Sequence, residues 1–578
     1  MTQTNISPWQ NIVARKREAR NKALKPFLTD NLNHRGEWVV SVAERSQTGS
    51  EKTQIITDIS SIEVLHQQLE KGVFTAEDVV LAYIKRFGCS VDYSLYRFCD
   101  ANWCLHRATI AHQMLLQTNA ITEVLFEDAL KQAQELDKTF AETGRLQGPL
   151  HGIPISLKDQ FNVKGHDTTL GYVGRSFAPA KEDAVLVQIL KDMGAIPFVK
   201  TNLPQSIMWC ETENPLFGLT LHPMDPELTP GGSTGGEAAL LALHGSVLGF
   251  GTDIGGSIRI PQNMVGLYGF KPSSSRLPYY GVPVSTEGQE HIPSAVGPMA
   301  RDLSTIIHIS RLLAQSQPWK LDPRCAPLPW RDDMFLELQS RPMVIGLIVD
   351  DGVVRVHPHI RRHLLRLADK LRALGHEIVE WDTEGHDECI AIMDAYYTVD
   401  GGEDIKRDVA IAGEPYVPHV EALINRGKPI SVYDYWQLNR KKFAAQKRYL
   451  DKWKKTTSPS GKPVDILLAP TMPHTAVPHR CCRWVGYTKV WNFLDYPALT
   501  FPVGKVDADL DILPSKLYKP RNDLDAWNWA LYDPIKMVGY PVNLQIIGQK
   551  LEEEKVLGAA VVINKVLRIQ RSDRVQEN

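Results

Sequence analysis

Residues 230–240 read PGGSTGGEAAL, residues 249–259 read GFGTDIGGSIR, and residues 268–272 read YGFKP. Glycine has no Cβ, so the backbone at these positions can approach a neighbouring group closely, and consecutive peptide N–H groups can point together at one anionic oxygen. A single glycine cluster more often marks a tight turn or close helix packing. Several clusters in succession instead indicate a backbone site that holds an oxyanion.

Phosphate binding is the alternative for a glycine-rich loop. However, Gly231 to Gly236 is not followed by the Lys-Ser/Thr pair of a P-loop, and no acidic residue is placed as in a dinucleotide-binding fingerprint. The phosphate interpretation is therefore weak.

Helix and strand patterns alternate on both sides of these stretches. Residues 152–158, GIPISLK, have the period of a strand that ends on Lys158, and helical patterns at 183–193 and 237–243 lead into apolar runs at 196–199 and 247–250. The alternation returns later, with strands at 344–349, 377–381, 464–468 and 543–547 and helices at 360–374 and 552–566. We therefore predict an α/β protein whose large parallel or mixed sheet is covered by helices on both faces.

The part before the first strand is predicted to be helical. Residues 1–60 form an arm with one basic helix at 9–24, followed by helices at 60–71, at 75–87 with a capping box of Thr75 and Asp78, and at 121–142. Because there is no internal repeat and no low-complexity linker, we predict a single catalytic domain over residues 61–578.

Composition excludes several classes of partner. The 65 Lys and Arg residues against 67 Asp and Glu give a formal charge of −2, which provides no field for nucleic acid or an anionic membrane. No apolar run is long enough for membrane insertion. The eight cysteines are scattered without CxxC pairs, and the basic, polar N-terminus lacks the apolar stretch of a secretory signal, so we expect free thiols and a cytoplasmic location.

Together, these motifs resemble the amidase signature family. The family pattern GGSSGGEAAL, GTDIGGSIR and GLKP is matched by GGSTGGEAAL, GTDIGGSIR and GFKP, and the family's lysine segment by GIPISLKDQ. The resemblance covers about residues 60–570 and is greatest to the fungal acetamidase and general amidase group. It implies the amidase signature fold, a large twisted mixed β-sheet core with helices on both faces.

The resemblance also implies a Ser-cisSer-Lys triad. Ser257 would be the nucleophile, Ser233 the bridging serine after a cis peptide bond, and Lys158 the base, with a pKa lowered by burial. Asp159 should point to the opposite face of the strand. The implied oxyanion-hole N–H groups are those of Ile254, Gly255, Gly256 and Ser257, and no metal or cofactor is implied.

Other residues have supporting or competing interpretations. Ile207, Met208 and Trp209 are predicted to line the substrate pocket, while Thr234, Asp253 and Arg259 support the loop. Cys210 is the competing nucleophile, although a buried free thiol is the more frequent role. We interpret His357, His359 and His363 as a solvated helix face, because the neighbouring Arg361, Arg362 and Arg366 oppose metal binding.

The predicted function is hydrolysis of carboxylic amides, small aliphatic or aromatic primary amides in particular, by a chain that could form a homodimer. Fatty-amide hydrolysis is the first alternative, but the charged segment 394–453 argues against membrane docking. An amidotransferase subunit that releases ammonia within a complex is the second. The long N-terminal arm and the absence of a basic patch disfavour it.

Overall fold

The computed structural model describes residues 7–27, 47–86, 118–513 and 518–576. Within these ranges the chain forms eighteen α-helices and thirteen strands. The helices are α1 Pro8–Leu24, α2 Gln47–Asp58, α3 Ile62–Glu70, α4 Ala76–Lys85, α5 Phe126–Thr143, α6 Val185–Asp192, α7 Gly235–Ala242, α8 Arg259–Val265, α9 Leu303–Gln315, α10 Asp332–Ser340, α11 Pro358–Ala373, α12 His386–Tyr396, α13 Glu403–Ala412, α14 Pro418–Ile424, α15 Val432–Lys455, α16 Gly486–Phe493, α17 Asp523–Ala530 and α18 Glu553–Gln576.

One mixed sheet of eleven strands organises the molecule, in the order β1-β3-β2-β6-β8-β7-β12-β13-β11-β9-β10, and β4 and β5 form a separate hairpin. β2 lies parallel to both β3 and β6, while β6, β8, β7, β12, β13 and β11 pair antiparallel in succession. The strands are β1 Ile121–Val124, β2 Pro154–Lys158, β3 Ile196–Thr201, β4 Glu213–Asn214, β5 Gly218–Leu219, β6 Leu248–Asp253, β7 Tyr268–Lys271, β8 Ala295–Ala300, β9 Val344–Leu347, β10 Glu377–Glu380, β11 Ile466–Pro470, β12 Ala498–Lys505 and β13 Pro541–Ile547.

The central strands are buried on both faces. Every residue of β2, β3 and β6 is buried, including polar residues such as Lys158, Thr201 and Asp253 at the carboxyl ends, as expected for strands covered on both faces of the sheet. Large apolar clusters fill the space between the sheet and its helices. The predicted α/β class is confirmed, and β2 ends on Lys158 as predicted.

The region around residue 121 differs from the prediction. The single helix predicted over 121–142 is wrong, since residues 121–124 form edge strand β1, antiparallel to β3, and α5 begins only at Phe126. The antiparallel strands β7, β8 and β12 were not predicted either. β8 is buried along its whole length, and β7 and the first half of β12 are largely buried, so these strands lack the alternation that marks a strand with one solvated face.

Helix α1 is held against the main body of the chain, which comprises the sheet and the helices that cover it. The ammonium of Lys16 lies 2.6 Å from the carboxylates of both Glu123 and Asp167, and all three side chains are largely buried. Arg17 and Arg20 donate hydrogen bonds to backbone carbonyls of the body, those of Leu216 and Ile121 among them. The helix predicted at 9–24 is therefore present, while much of the predicted arm, residues 28–46, lies outside the described residues, as does Phe87. The division at residue 60 stays a prediction.

The interpretation of the histidine cluster as a solvated face is wrong for two of its members. His357 and His359 are fully buried, and only His363 is partly exposed, with a hydrogen bond to the Lys505 carbonyl. The physical reason is tertiary, because the loop after α17 brings Tyr532 over both rings. Burial lowers the pKa of His359 to about 3, so this side chain is neutral. Among the described residues, no group of three or more His, Cys, Asp or Glu side chains is arranged to hold a metal ion.

Two further predictions concern thiols and membranes. Cys210, Cys325, Cys389, Cys481 and Cys482 are free thiols, while Cys89, Cys99 and Cys104 lie outside the described residues. Across the described ranges, no helix combines the length and apolar character needed to cross a membrane.

Candidate active site

The carboxyl ends of parallel strands β2 and β6 bring together the residues that the motifs single out. The Nζ atom of Lys158, at the end of β2, lies 2.7 Å from Ser233 Oγ and 2.9 Å from Thr252 Oγ1 on β6. Ser233 lies just before α7, and the Gly232–Ser233 peptide bond is cis, as the resemblance implies. A Cβ on Gly232 would lie 2.7 Å from the Glu211 backbone, so a side chain has no room there.

Burial gives Lys158 the character of a base. Its side chain has no solvent exposure, and desolvation lowers its pKa to about 7 against the opposing attraction of Asp253 and Asp159. The Asp159 carboxylate is engaged elsewhere, because it accepts hydrogen bonds from the Thr122 hydroxyl and the Leu170 N–H. A substantial fraction of Lys158 is therefore neutral at neutral pH.

Ser257 reaches a cavity that other residues of this group also line. It is 9% exposed and lines the same narrow space as Ser233 and Thr252. About 10 Å³ of this space is free, which is room for about one water molecule. In the described part of the chain, no hydrogen bond joins the Ser257 and Ser233 hydroxyls. Such links are often long without substrate and tighten in the complex, so the gap does not exclude a proton relay.

The loop before Ser257 carries backbone N–H donors beside the cavity, which Ile254 and Ser257 line. The Gly256 N–H is already committed, since it donates to Asp253 Oδ1 at 2.7 Å. The N–H groups of Ile254, Gly255 and Ser257 have no acceptor among the described residues. This divides the four predicted oxyanion donors into three that are free and one that supports the loop.

Neighbouring side chains hold this loop from outside. Thr488 Oγ1 donates to the Gly255 carbonyl at 2.7 Å, and the Tyr397 hydroxyl donates to the Ile254 carbonyl at 3.3 Å. Gly256 has φ +129°, and a Cβ there would lie 2.3 Å from Thr488 Oγ1. Position 256 therefore requires glycine on both conformational and steric grounds.

A buried ion pair lies directly behind the loop. Asp253 and Arg259 have no solvent exposure, and Arg259 Nε donates to Asp253 Oδ2 at 3.0 Å. Burial alone would raise the pKa of Asp253, but the guanidinium outweighs it and the pKa falls to about 2. Asn492 completes the pair, donating to Asp253 Oδ1 and accepting from Arg259. These hydrogen bonds connect both side chains to the loop, and their supporting role stays a prediction.

Thr234 lies on the side of the loop away from the cavity. Its N–H donates to the Ser257 carbonyl at 3.2 Å, whereas its hydroxyl makes only a long, 3.5 Å contact with the Thr252 carbonyl. Its methyl group packs against Gly251, where a Cβ would lie 2.7 Å away. The extra methyl is thus accommodated by a glycine on β6.

The three predicted pocket residues separate. Ile207 and Met208 line the cavity, but Trp209 is not among its lining residues, and its indole stacks on the His419 ring at 4.8 Å. Cys210, the competing nucleophile, is buried outside the cavity lining, where its thiol donates to the Cys482 carbonyl. Ser206 and Ile207 have positive φ and form a turn just before Met208.

A second, larger cavity of about 450 Å³ volume meets the first. Thr286 and Gln289 line both spaces. The walls of the larger cavity combine aromatic rings, Tyr396, Tyr435 and His291, with several carboxylates. The larger cavity therefore shares part of its wall with the space that Ser257 lines.

Sequence analysis missed several residues around the site. Thr252 contacts Lys158 directly, Gln160 accepts a hydrogen bond from Thr252, and Asn492 and Thr488 hold the loop from α16. Both Gln160 and Thr252 lie within the quoted motifs. Gln160 is two residues after Lys158, and Thr252 is one residue before Asp253. Nothing in the sequence marks α16 as a neighbour of the loop.

Comparison with known proteins finds amidases that match nearly the whole chain. The family model described as Amidase matches residues 102–557. Amidase 1 of Gibberella moniliformis is 52% identical over 97% of this chain and 99% of its own length, and the acetamidase of Emericella nidulans is 35% identical over 97% and 98%. Among solved structures, a fatty acid amide hydrolase superposes with a TM-score of 0.82 at 28% identity, covering 98% of this chain and 97% of its own.

The sequence match, the shared fold and the position of buried Lys158 beside Ser233, which shares a cavity with Ser257, agree with one another. This chain belongs to the amidase family.

Proposed function

We propose that this protein hydrolyses carboxylic amides through an acyl-enzyme on Ser257. The observation that carries the proposal is Lys158, which is fully buried with a pKa of about 7 and lies 2.7 Å from Ser233, a residue that lines the same cavity as Ser257. A lysine whose pKa is close to 7 is suited to remove a proton at physiological pH. Family membership supports the same activity.

In the first half of the reaction, Ser257 Oγ attacks the amide carbonyl. Its proton passes to Ser233 Oγ, and the Ser233 proton passes to neutral Lys158 Nζ, so charge is conserved along the relay. The carbonyl oxygen becomes an oxyanion, which the free N–H groups of Ile254, Gly255 and Ser257 can stabilise. Loss of one such donor costs about 2.7–4 kcal/mol of transition-state stabilisation.

The second half returns the proton and releases the acid. Lys158 gives a proton back through Ser233 to the leaving nitrogen, the C–N bond breaks, and ammonia or an amine departs. Water then attacks the acyl ester with the same relay as base, and Ser257 is regenerated. Each proton that leaves Ser257 or water is thus accounted for at nitrogen or at the serine.

The substrates we propose are small aliphatic or aromatic primary amides. The space beside Ser257 holds about one water molecule, and Ile207 and Met208 close it on one side. A short acyl group requires this space to widen less than a long acyl chain does. Similarity to acetamidases supports the same size range.

Fatty-amide hydrolysis is the second candidate, and one observation favours it. Helix α15 exposes Val432, Tyr433, Trp436 and Phe443, each more than half accessible, in the segment expected to be too charged for membrane docking. That expectation overlooked the apolar face of this helix. The solved fatty acid amide hydrolase is a structural neighbour. A long acyl chain would, however, need the narrow cavity to widen.

The test is ammonia release from a panel running from acetamide through benzamide to long-chain primary amides, with wild type beside Ser257→Ala. We expect the highest kcat/KM for short or aromatic acyl groups and no turnover by Ser257→Ala. A maximum at long chains would replace the first candidate with the second. Undiminished turnover by Ser257→Ala would contradict the acyl-enzyme itself. The cytoplasmic location and the homodimer stay predictions.

A further inference from the structure

A chain of buried hydrogen bonds continues behind Lys158 and is not used by the triad itself. Thr252 Oγ1 lies 2.9 Å from Lys158 Nζ and 2.7 Å from Gln160 Oε1. Gln160 Nε2 lies 2.8 Å from the Pro283 carbonyl oxygen and 3.2 Å from the Tyr279 hydroxyl. Thr252 and Gln160 are both buried.

The direction of every bond in this chain follows from its last member. A carbonyl oxygen only accepts, so the Gln160 atom facing Pro283 must be the NH₂ group. Gln160 Oε1 therefore faces Thr252 and can only accept, which obliges the Thr252 hydroxyl to donate to it. The Thr252 oxygen is then left as an acceptor for Lys158.

This polarity decides how the neutral lysine is oriented. A neutral amine has two N–H donors and one lone pair, and an N–H must be used toward Thr252. The lone pair is thereby free to face Ser233 Oγ at 2.7 Å, so that the Ser233 O–H donates to Lys158. That is the direction in which a proton must move when Lys158 acts as a base.

We propose that Gln160 is a positioning residue which, through Thr252, orients Lys158 so that its lone pair faces Ser233. The proposal rests on the function proposed above. Without Gln160, the Thr252 hydroxyl could turn and donate to the lysine lone pair, in competition with Ser233. The neutral amine would then be stabilised in the wrong orientation.

The experiment is the pH dependence of kcat/KM for ammonia release by Gln160→Met, which removes both polar atoms at similar side-chain length. We expect the plateau to fall by about 2- to 10-fold, the effect of one net hydrogen bond. We also expect the acid limb to move to lower pH, because a donating Thr252 stabilises neutral Lys158. Tyr279→Phe is the matched control. It removes the contact between Gln160 and the Tyr279 hydroxyl but keeps the Thr252 contact, so the acid limb should stay in place.

Three outcomes overturn the proposal. Gln160→Met could keep the wild-type plateau and limb, or it could lose rate with an unmoved limb, as a purely structural defect would. The third is multiplicative losses for Gln160→Met and Thr252→Val in the double variant, because Gln160 is argued to act only through Thr252. If Gln160→Met does not fold, the plateau and the limb are measured in Gln160→Leu, which also removes both polar atoms and leaves the Thr252 hydroxyl free to turn.

Failure of the proposed function has a different signature. In that case Lys158→Ala and Ser257→Ala would retain turnover, whatever the Gln160 variants do. If those two variants are inactive while Gln160→Met behaves as wild type, only the positioning role is wrong.

Discussion

The Asp253–Arg259 pair is predicted to be the most sensitive point of the site outside the triad. Asp253→Asn keeps the shape of the side chain but removes its charge, and so leaves the Arg259 guanidinium buried with no carboxylate partner. Breaking a fully buried ion pair by changing one partner costs about 3–5 kcal/mol. Both side chains have no solvent exposure, so the full range applies.

The assay is the free energy of unfolding from urea denaturation of wild type, Asp253→Asn, Arg259→Met and the double variant. We expect each single variant to lose about 3–5 kcal/mol and the double variant to lose clearly less than the sum, because it carries no unpaired charge. Asp159→Asn is the matched control. This carboxylate is equally buried, but its hydrogen bonds come from Thr122, Thr169 and Leu170 and none from an arginine. A loss below about 1 kcal/mol in Asp253→Asn, or strict additivity, would refute the reasoning.

Three further predictions concern the pocket, the histidines and α1. Met208→Ala should change the relative kcat/KM values among acyl groups by roughly 10-fold or more, whereas Trp209→Phe should not, since Met208 lines the cavity and Trp209 does not. Equal effects of the two substitutions would count against this. Burial lowers the pKa of His359 to about 3 and that of His474 to about 4, so the unfolded chain binds more protons than the folded one. As the pH decreases from about 6.5, the free energy of unfolding should therefore decrease by about 1.4 kcal/mol per pH unit for each histidine. The His359→Phe variant should show a smaller slope. An unchanged slope would exclude His359 as a contributor. Lys16→Met should release α1 from its contacts, because Glu123 and Asp167 lose their shared cation. The release should be detected as faster proteolysis or hydrogen exchange in residues 7–27. Lys22→Met, at an exposed position, is the control, and equal protection in the two variants would contradict the role of Lys16.

The motifs located the candidate site because their residues are close in sequence or at strand ends. Lys158 could be placed at the end of a strand from the alternation of residues 152–158, and the carboxyl ends of parallel neighbours meet at one edge of a sheet. Ser233 and Ser257 were identified from the resemblance of the glycine-rich motifs to those of the amidase signature family. These features depend on local pattern, which a sequence displays directly.

Other features depend on distant contacts. The hydrogen bond between Gln160 and Thr252 spans 92 positions, and Asn492 reaches Asp253 across 239. His359 looked solvated because arginines surround it in α11, yet Tyr532 covers it. Strand β1 was predicted as part of α5 because its four residues are too few to show their own period.

The central claim is that neutral Lys158 is the base of the relay, and its most direct test is kcat/KM for ammonia release measured from about pH 5 to pH 10. With a Lys158 pKa of about 7, we predict that kcat/KM rises about tenfold per pH unit below pH 7 and then becomes constant. Lys158→Ala should lose at least about 10²- to 10⁴-fold, together with this limb, and Lys158→Ala/Ser257→Ala should be little worse than Ser257→Ala alone. A Lys158→Ala variant that keeps both the wild-type rate and the same limb would contradict the claim.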